Sequence, residues 1–390
     1  MIEVPEGWEI KPFSSLASIN MGQSPESEFV NENQEGIAFL QGNADFGDIN
    51  PKELYWVKVP KKLAKKDDIL ISVRAPVGDM NMADKEYCIG RGLSALTIKK
   101  INQKFGFYAL FQERIQLDRL AQGSTFLAIG KNDFDKLLIK YPKEKKEQEK
   151  IAKILSTLDN AIESTNRIIE KEKNIKMALM QELLTNGIDK NGQIRTPQTH
   201  TYKQSELGLI PDEWEVDSIE NHAKIITGDK DTQDRLDDGE YPFYVRSQTI
   251  ERINTYSFDG EAVLTAGDGV GVGKVFHFVN EKFDFHQRVY CIHDFSEKLN
   301  SSFFFEYFRT YFIEQVNKYS AKGSVDSVRY DMIALMNIPL PTFEEQKQIA
   351  KILTTQDKKI EIEETNLDKL KELKKGLMND LLSGVVRVKV

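Results

Sequence analysis

Two stretches of the chain share a hydrophobic pattern that the rest lacks. In the first, Leu155, Leu158, Ile162, Ile169, Leu179 and Leu183 fall at three- and four-residue steps, with Thr165, Glu172 and Lys176 at the polar steps between them. In the second, Leu353, Ile360, Leu367, Leu370, Leu377 and Leu381 do the same, interrupted by Gln356, Glu363 and Lys374. This spacing predicts two α-helices that each carry a coiled-coil seam. Gly187 and Gly384 follow as C-terminal breakers. About 40 residues at about 1.5 Å each gives a rod of roughly 60 Å, longer than a small globule needs. Ahead of each rod the pattern is different. Residues 66–72 and 259–265 are polar turns that run into apolar segments and read as buried strands, and Pro142 and Pro341 close the two strand-containing regions. The order is globule, rod, linker, globule, rod.

The second half repeats the first. Residues 147–184 lie over 345–382 without a gap, with 18 of 38 positions identical. Pro5-Glu6-Gly7-Trp8-Glu9-Ile10 returns as Pro211-Asp212-Glu213-Trp214-Glu215-Val216, and residues 39–50 have a fainter echo in 243–254. Gly123-Ser124 recurs as Gly323-Ser324, and residues 138–142 as 337–341. The expected boundaries are 1–142 and 207–341 for two globules, 143–187 and 342–390 for two helical regions, and 188–206 for a linker. The fold class is α+β. Two matched rods in one chain can pair as an antiparallel coiled coil and relate the globules by a pseudo-twofold axis.

Composition narrows the function classes. Hydrophobic residues at 40% and charged residues at 29% describe a chain that folds. No apolar run approaches the roughly 18 residues of a membrane span, and the opening residues lack an apolar signal region, so the expectation is a cytoplasmic protein with no membrane partner. Cys88 and Cys291 alone build neither a disulfide framework nor a zinc site. The net charge of -8 argues that any nucleic-acid surface is local.

Pro-x-x-Trp-Glu opening each half, Gly-Ser before a proline-ended strand, and then Glu-Gln-x-x-Ile-Ala-x-Ile-Leu resemble the specificity subunit of type I DNA restriction-modification enzymes. The resemblance covers essentially the whole chain. It implies two target-recognition domains that each read one half of an asymmetric, bipartite double-stranded DNA target, and two helical regions that space the domains and dock partners. The implied partners are two methyltransferase subunits and the restriction subunits that carry nuclease and translocase. The chain itself would be non-catalytic and bind no cofactor, with S-adenosylmethionine, ATP and Mg expected on the partner subunits.

The residues fit a non-enzymatic role. The glycine-rich stretch 267–274 fails as a phosphate loop, because five residues rather than four separate Gly267 from Gly273 and Val275 follows Lys274. It reads equally as a turn between strands or as a turn beside a DNA phosphate. The five histidines have no metal-ligand spacing, and the Pro-Pro-aromatic motif of amino-methyltransferases is missing. Base reading needs Arg, Lys, Asn, Gln or Ser at groove edges. The first globule offers Gln41, Asn43, Arg74, Arg91, Ser124, Thr125 and Lys131. The second offers Arg246, Ser247, Gln248, Lys274, His286, Gln287, Arg288, Lys322, Ser324 and Arg329. Arg91 and Arg288 are expected at matching places in the repeat, and Trp8 and Trp214 are assigned to packing. The competing readings are an enzyme with a cryptic site, a coiled-coil scaffold, and a DNA-binding protein outside restriction-modification.

Overall fold

The computed structural model describes residues 4–122, 128–319 and 327–389. Ser124, Thr125, Lys322 and Ser324 lie outside these residues. Six helices are present among them: α1 (Gln103–Gln112), α2 (Arg114–Gln122), α3 (Lys145–Thr185), α4 (Ser301–Lys318), α5 (Tyr330–Ala334) and α6 (Phe343–Ser383). The chain divides into two units, Met1–Ile168 with Glu363–Val390, and Ile169–Ile362. Each unit therefore takes a stretch of α3 and a stretch of α6.

In the first unit an antiparallel sheet runs in the order Ala17–Met21, Leu93–Ile98, Ile69–Ser72, Met80–Met82. A second sheet is built on the parallel pair Ile37–Leu40 and Tyr87–Ile89. Trp8–Pro12 pairs with Leu138–Pro142, which ties the opening of the unit to its closing proline. In the second unit one six-stranded sheet contains Lys224–Thr227, Val289–His293, Phe258–Ala266, Phe276–Phe285, Tyr241–Tyr244 and Glu251–Ile253 in that order. Glu215–Ser218 pairs there with Asn337–Leu340. The 188–206 connection is folded: Tyr202–Ser205 forms a hairpin with Gly208–Pro211, and Ile188 and Arg195 are buried.

The Glu-Gln-x-x-Ile-Ala-x-Ile-Leu repeat has a physical account in each unit. The buried side chain of Gln148 accepts the Asn102 N–H (2.6 Å) and donates to the Pro142 carbonyl (2.6 Å). Asn102 is the N-cap of α1 and accepts the Phe105 N–H at 3.0 Å, a cap worth about 1 kcal/mol. Gln346, Asn300, Pro341 and Phe303 make the same contacts at the start of α4. Ile151, Ala152 and Leu155 enter the first unit's core, and Ile349, Ala350 and Leu353 the second's. One residue earlier, buried Glu147 takes two hydrogen bonds from Arg387 (2.6 and 2.8 Å), and Glu345 is gripped by Arg195.

The seam positions expected along the rods are all buried or half-buried, including the polar Thr165 and Gln356. Within each unit the α3 and α6 segments run antiparallel. In the first, Glu147 meets Arg387 while Asp159 meets Lys374; in the second, Lys176 meets Asp357 while Ile188 meets Glu345. Gly187 and Gly384 adopt φ of +62° and +77°, the left-handed region open to glycine. A Cβ on Gly187 would lie 2.4 Å from Trp214, and one on Gly384 would lie 3.2 Å from Trp8. Both tryptophans are buried, as their assignment to packing requires.

Candidate nucleic-acid interface

Among the described residues, the candidates of each unit lie on loops that backbone hydrogen bonds join into one rim at the ends of the strands. In the first unit the turn Gly90-Arg91-Gly92 is the hub. The Gly90 N–H donates to the Leu40 carbonyl (2.8 Å), the Val73 N–H donates to the Gly92 carbonyl (2.9 Å), and the Arg91 N–H donates to Ser24 Oγ (3.2 Å). A Cβ on Gly92 would sit 2.6 Å from the Gln41 carbonyl oxygen, so this turn packs directly on the 41–42 backbone. Gln41, Arg74 and Arg91 are thereby brought together with exposed side chains. The Ile129 N–H donates to the Val73 carbonyl (3.0 Å), which carries Lys131 to the same rim. Asn43 is half-buried and donates to Asp79 (2.8 Å), which also pairs with Arg114.

In the second unit the turn 286–288 has the same place. The His286 N–H donates to the Tyr244 carbonyl (2.9 Å), and the Gly267 N–H donates to the Arg288 carbonyl (2.8 Å). Arg246 and Arg288 both reach Asp268, at 2.9 and 2.8 Å, one on each carboxylate oxygen. Gln248 donates to the Lys274 carbonyl (2.8 Å), and Gln287 to Asp231 (3.0 Å). The Val328 N–H donates to the Gly267 carbonyl (2.7 Å) and brings Arg329 alongside. Ser247, Lys274 and Arg329 are exposed.

Three sequence expectations change here. His286 is buried: its Nδ1 accepts the Arg288 N–H (2.9 Å), so it shapes the turn rather than facing solvent. Burial, with Arg246 nearby, holds its pKa below the ordinary histidine value. Arg91 and Arg288 do not match. Leu93 N–H to Gly90 and Val289 N–H to His286 are the equivalent bonds, so Arg91 corresponds to Gln287 and Gly92 to Arg288. The strand register shifts as well, because Ser72 pairs with Leu93 where Ala266 pairs with Val289, not Thr265. The glycine-rich stretch 267–274 is a turn between strands whose Val270 is 92% exposed. Asp268 carries no mark in the sequence pattern: it lies 22 residues from Arg246 and 20 from Arg288, and only the fold brings the three together.

The model for the type I restriction modification DNA specificity domain matches residues 5–173 and 211–372, which is most of the chain in two copies. The chain belongs to the type I specificity-subunit family. It is 27% identical to the type I restriction enzyme MjaVIII specificity subunit of Methanocaldococcus jannaschii over all of this chain and 95% of that one. It is 40% identical to the putative MjaX specificity subunit of the same organism, over 48% of this chain and 44% of that one. In fold it matches the crystal structure of a type I restriction-modification S subunit from M. genitalium, with a TM-score of 0.70 and 17% identity over 97% of each chain. Specificity subunits recognise DNA sequence within a larger complex and are not its catalysts, and this chain has that role. Among the described residues no group of three His, Cys, Asp or Glu could hold a metal ion, and no helix is long and apolar enough to cross a membrane.

Proposed function

We propose that each rim reads one half of an asymmetric, bipartite DNA target, and that the paired stretches of α3 and α6 dock two methyltransferase subunits and set the spacing between half-sites. The observation that carries this reading is that the same rim is built twice on the same backbone bonds but presents different side chains. Shared backbone with altered edge donors is what two different half-sites require, since base identity is read by side-chain donors and acceptors in the groove. Restriction subunits, with ATP and Mg, and S-adenosylmethionine on the methyltransferase, complete the complex in the cytoplasm. Partners also supply part of the phosphate neutralisation that a chain of net charge -8 lacks.

The test is reconstitution with the cognate methyltransferase subunit, followed by sequencing of the methylated bases. A single split target of two unlike halves is expected, and exchange of residues 1–142 for those of a relative should alter one half only. Methylation by the chain alone, or a change in both halves, would sink the proposal.

A further inference from the structure

The backbone bonds that define the two rims put three positions of each unit in correspondence. Leu40 and Tyr244 accept the equivalent N–H groups of Gly90 and His286, which places Gly42 and Arg246 alike, two residues beyond each acceptor. Gly92 and Arg288 accept from Val73 and Gly267. Arg74 bridges Ala128 just as Asp268 bridges Ser327. The set Gly42, Arg74, Gly92 in one unit therefore stands where Arg246, Asp268, Arg288 stands in the other.

Each set carries one net positive charge, but distributes it differently. A phosphate backbone responds to total charge, whereas base edges respond to where individual donors sit. The substitution thus changes reading while leaving the local field alike. Asp268 is the central element in the second unit. Its side chain is 15% exposed and lies between arginine side chains that are 43% and 61% exposed. One carboxylate oxygen takes Arg246 Nη1 and the other takes Arg288 Nη1. Two arginines that would otherwise repel are held on one rim, each with N–H donors left over. Guanine O6 and N7 together match such a guanidinium edge.

We infer that Arg246 and Arg288, positioned by Asp268, form a braced pair that reads guanine in the half-site of the second unit, and that Gly42, Arg74 and Gly92 are the counterpart specificity positions of the first. This inference rests on the reading of the rim as the DNA-facing surface. Asp268 is a positioning residue: it sets the direction of both side chains and need not touch a base.

The experiment uses the complex with its methyltransferase subunit and sequences the methylated targets selected by each variant. In Arg246→Ala and Arg288→Ala, a guanine position in one half-site should relax by about 10-fold or more in discrimination, with the other half-site intact. Arg288→Lys keeps the charge and loses the paired donors, so it should relax the same position while retaining overall affinity. Asp268→Asn should weaken discrimination at both guanine positions together. Full retention of specificity in both alanine variants, with affinity lowered alike for all targets as loss of a phosphate contact would do, would overturn the inference. A wild-type half-site without guanine would overturn it too. A wild-type complex that selects no split target would instead refute the proposed function beneath it.

Discussion

Asp159 and Lys374 lie 2.5 Å apart in the first unit, and their repeat counterparts Asp357 and Lys176 form the same pair in the second. The residues trade helices: the acid comes from α3 in one unit and from α6 in the other. In an antiparallel pair built from duplicated helices each such contact must occur twice. Each acid also takes a second donor from the globule of its own unit, Tyr108 Oη for Asp159 (2.6 Å) and Arg309 for Asp357 (2.9 Å). One carboxylate in each unit therefore joins the partner helix to the globule. Asp159→Ala should cost about 1–3 kcal/mol, because it strands a buried tyrosine hydroxyl and a half-buried lysine. The Asp159/Lys374 double-mutant cycle should be coupled by at least about 0.5 kcal/mol. Additive losses in chemical denaturation would mean the pair is only a solvated surface contact.

The arginines beyond each rod give a second, graded prediction. Arg195 and Glu345 are 5% and 7% exposed, whereas Arg387 is 43% exposed above a Glu147 that is 3% exposed. Removing one partner from a fully buried ion pair leaves an uncompensated charge, at about 3–5 kcal/mol. Water can reach the place that Arg387 vacates. Arg195→Ala should therefore destabilise clearly more than Arg387→Ala, as read from denaturant midpoints. Equal losses would contradict the difference in burial.

The rods were legible in the sequence because their signal is local: leucine and isoleucine at three- and four-residue steps need no knowledge of the rest of the chain. The roles of Glu147 and Gln148 were not legible. On a charged helix they read as solvated, and their partners Arg387 and Asn102 lie 240 and 46 residues away. The rims were found in outline and misread in register. Gly90-Arg91-Gly92 and His286-Gln287-Arg288 share no side chain in register, so only the backbone bonds could align them, one residue from where matching arginines suggested. His286 looked like an exposed donor because nothing in its neighbours shows that its ring turns inward.

The inward histidine should make the second unit sensitive to acid. Burial is the main cause that lowers the pKa of His286, followed by Arg246 and opposed by Asp231 and Asp268, with Arg288 acting in the lowering direction. Well above pH 6.5, by about one unit or more, the ring is neutral in both folded and unfolded chains and contributes no slope. As pH falls through about 6.5 the unfolded chain takes the proton first, so stability declines until the lower folded pKa is passed. Protonation also removes the acceptor for the Arg288 N–H, which holds the turn. Thermal unfolding of His286→Asn should show a flatter pH dependence than the parent between about pH 7 and 5.5. His277, also lowered by burial, retains its own share of the slope in that variant. An unchanged slope would show that His286 does not titrate in this range.

The division of the chain places the unit boundary at residues 168 and 169 in α3 and at 362 and 363 in α6, which dictates how the spacing role should be tested. Four residues inserted at the α3 boundary alone would set the Asp159–Lys374 register against that of Lys176–Asp357, since α6 must serve both. Matched insertions at both boundaries keep each unit's pairs intact and add about 6 Å of helix between them. At about 3.4 Å per base pair this corresponds to one or two base pairs of target spacer if the added helix follows the duplex. The doubly lengthened chain, with its methyltransferase, should select both original half-sites at a longer spacing. The α3 insertion alone should lose stability before it changes spacing. Unchanged spacing in a stably folded double insertion would leave the helices as docking surfaces and assign the spacing to something else.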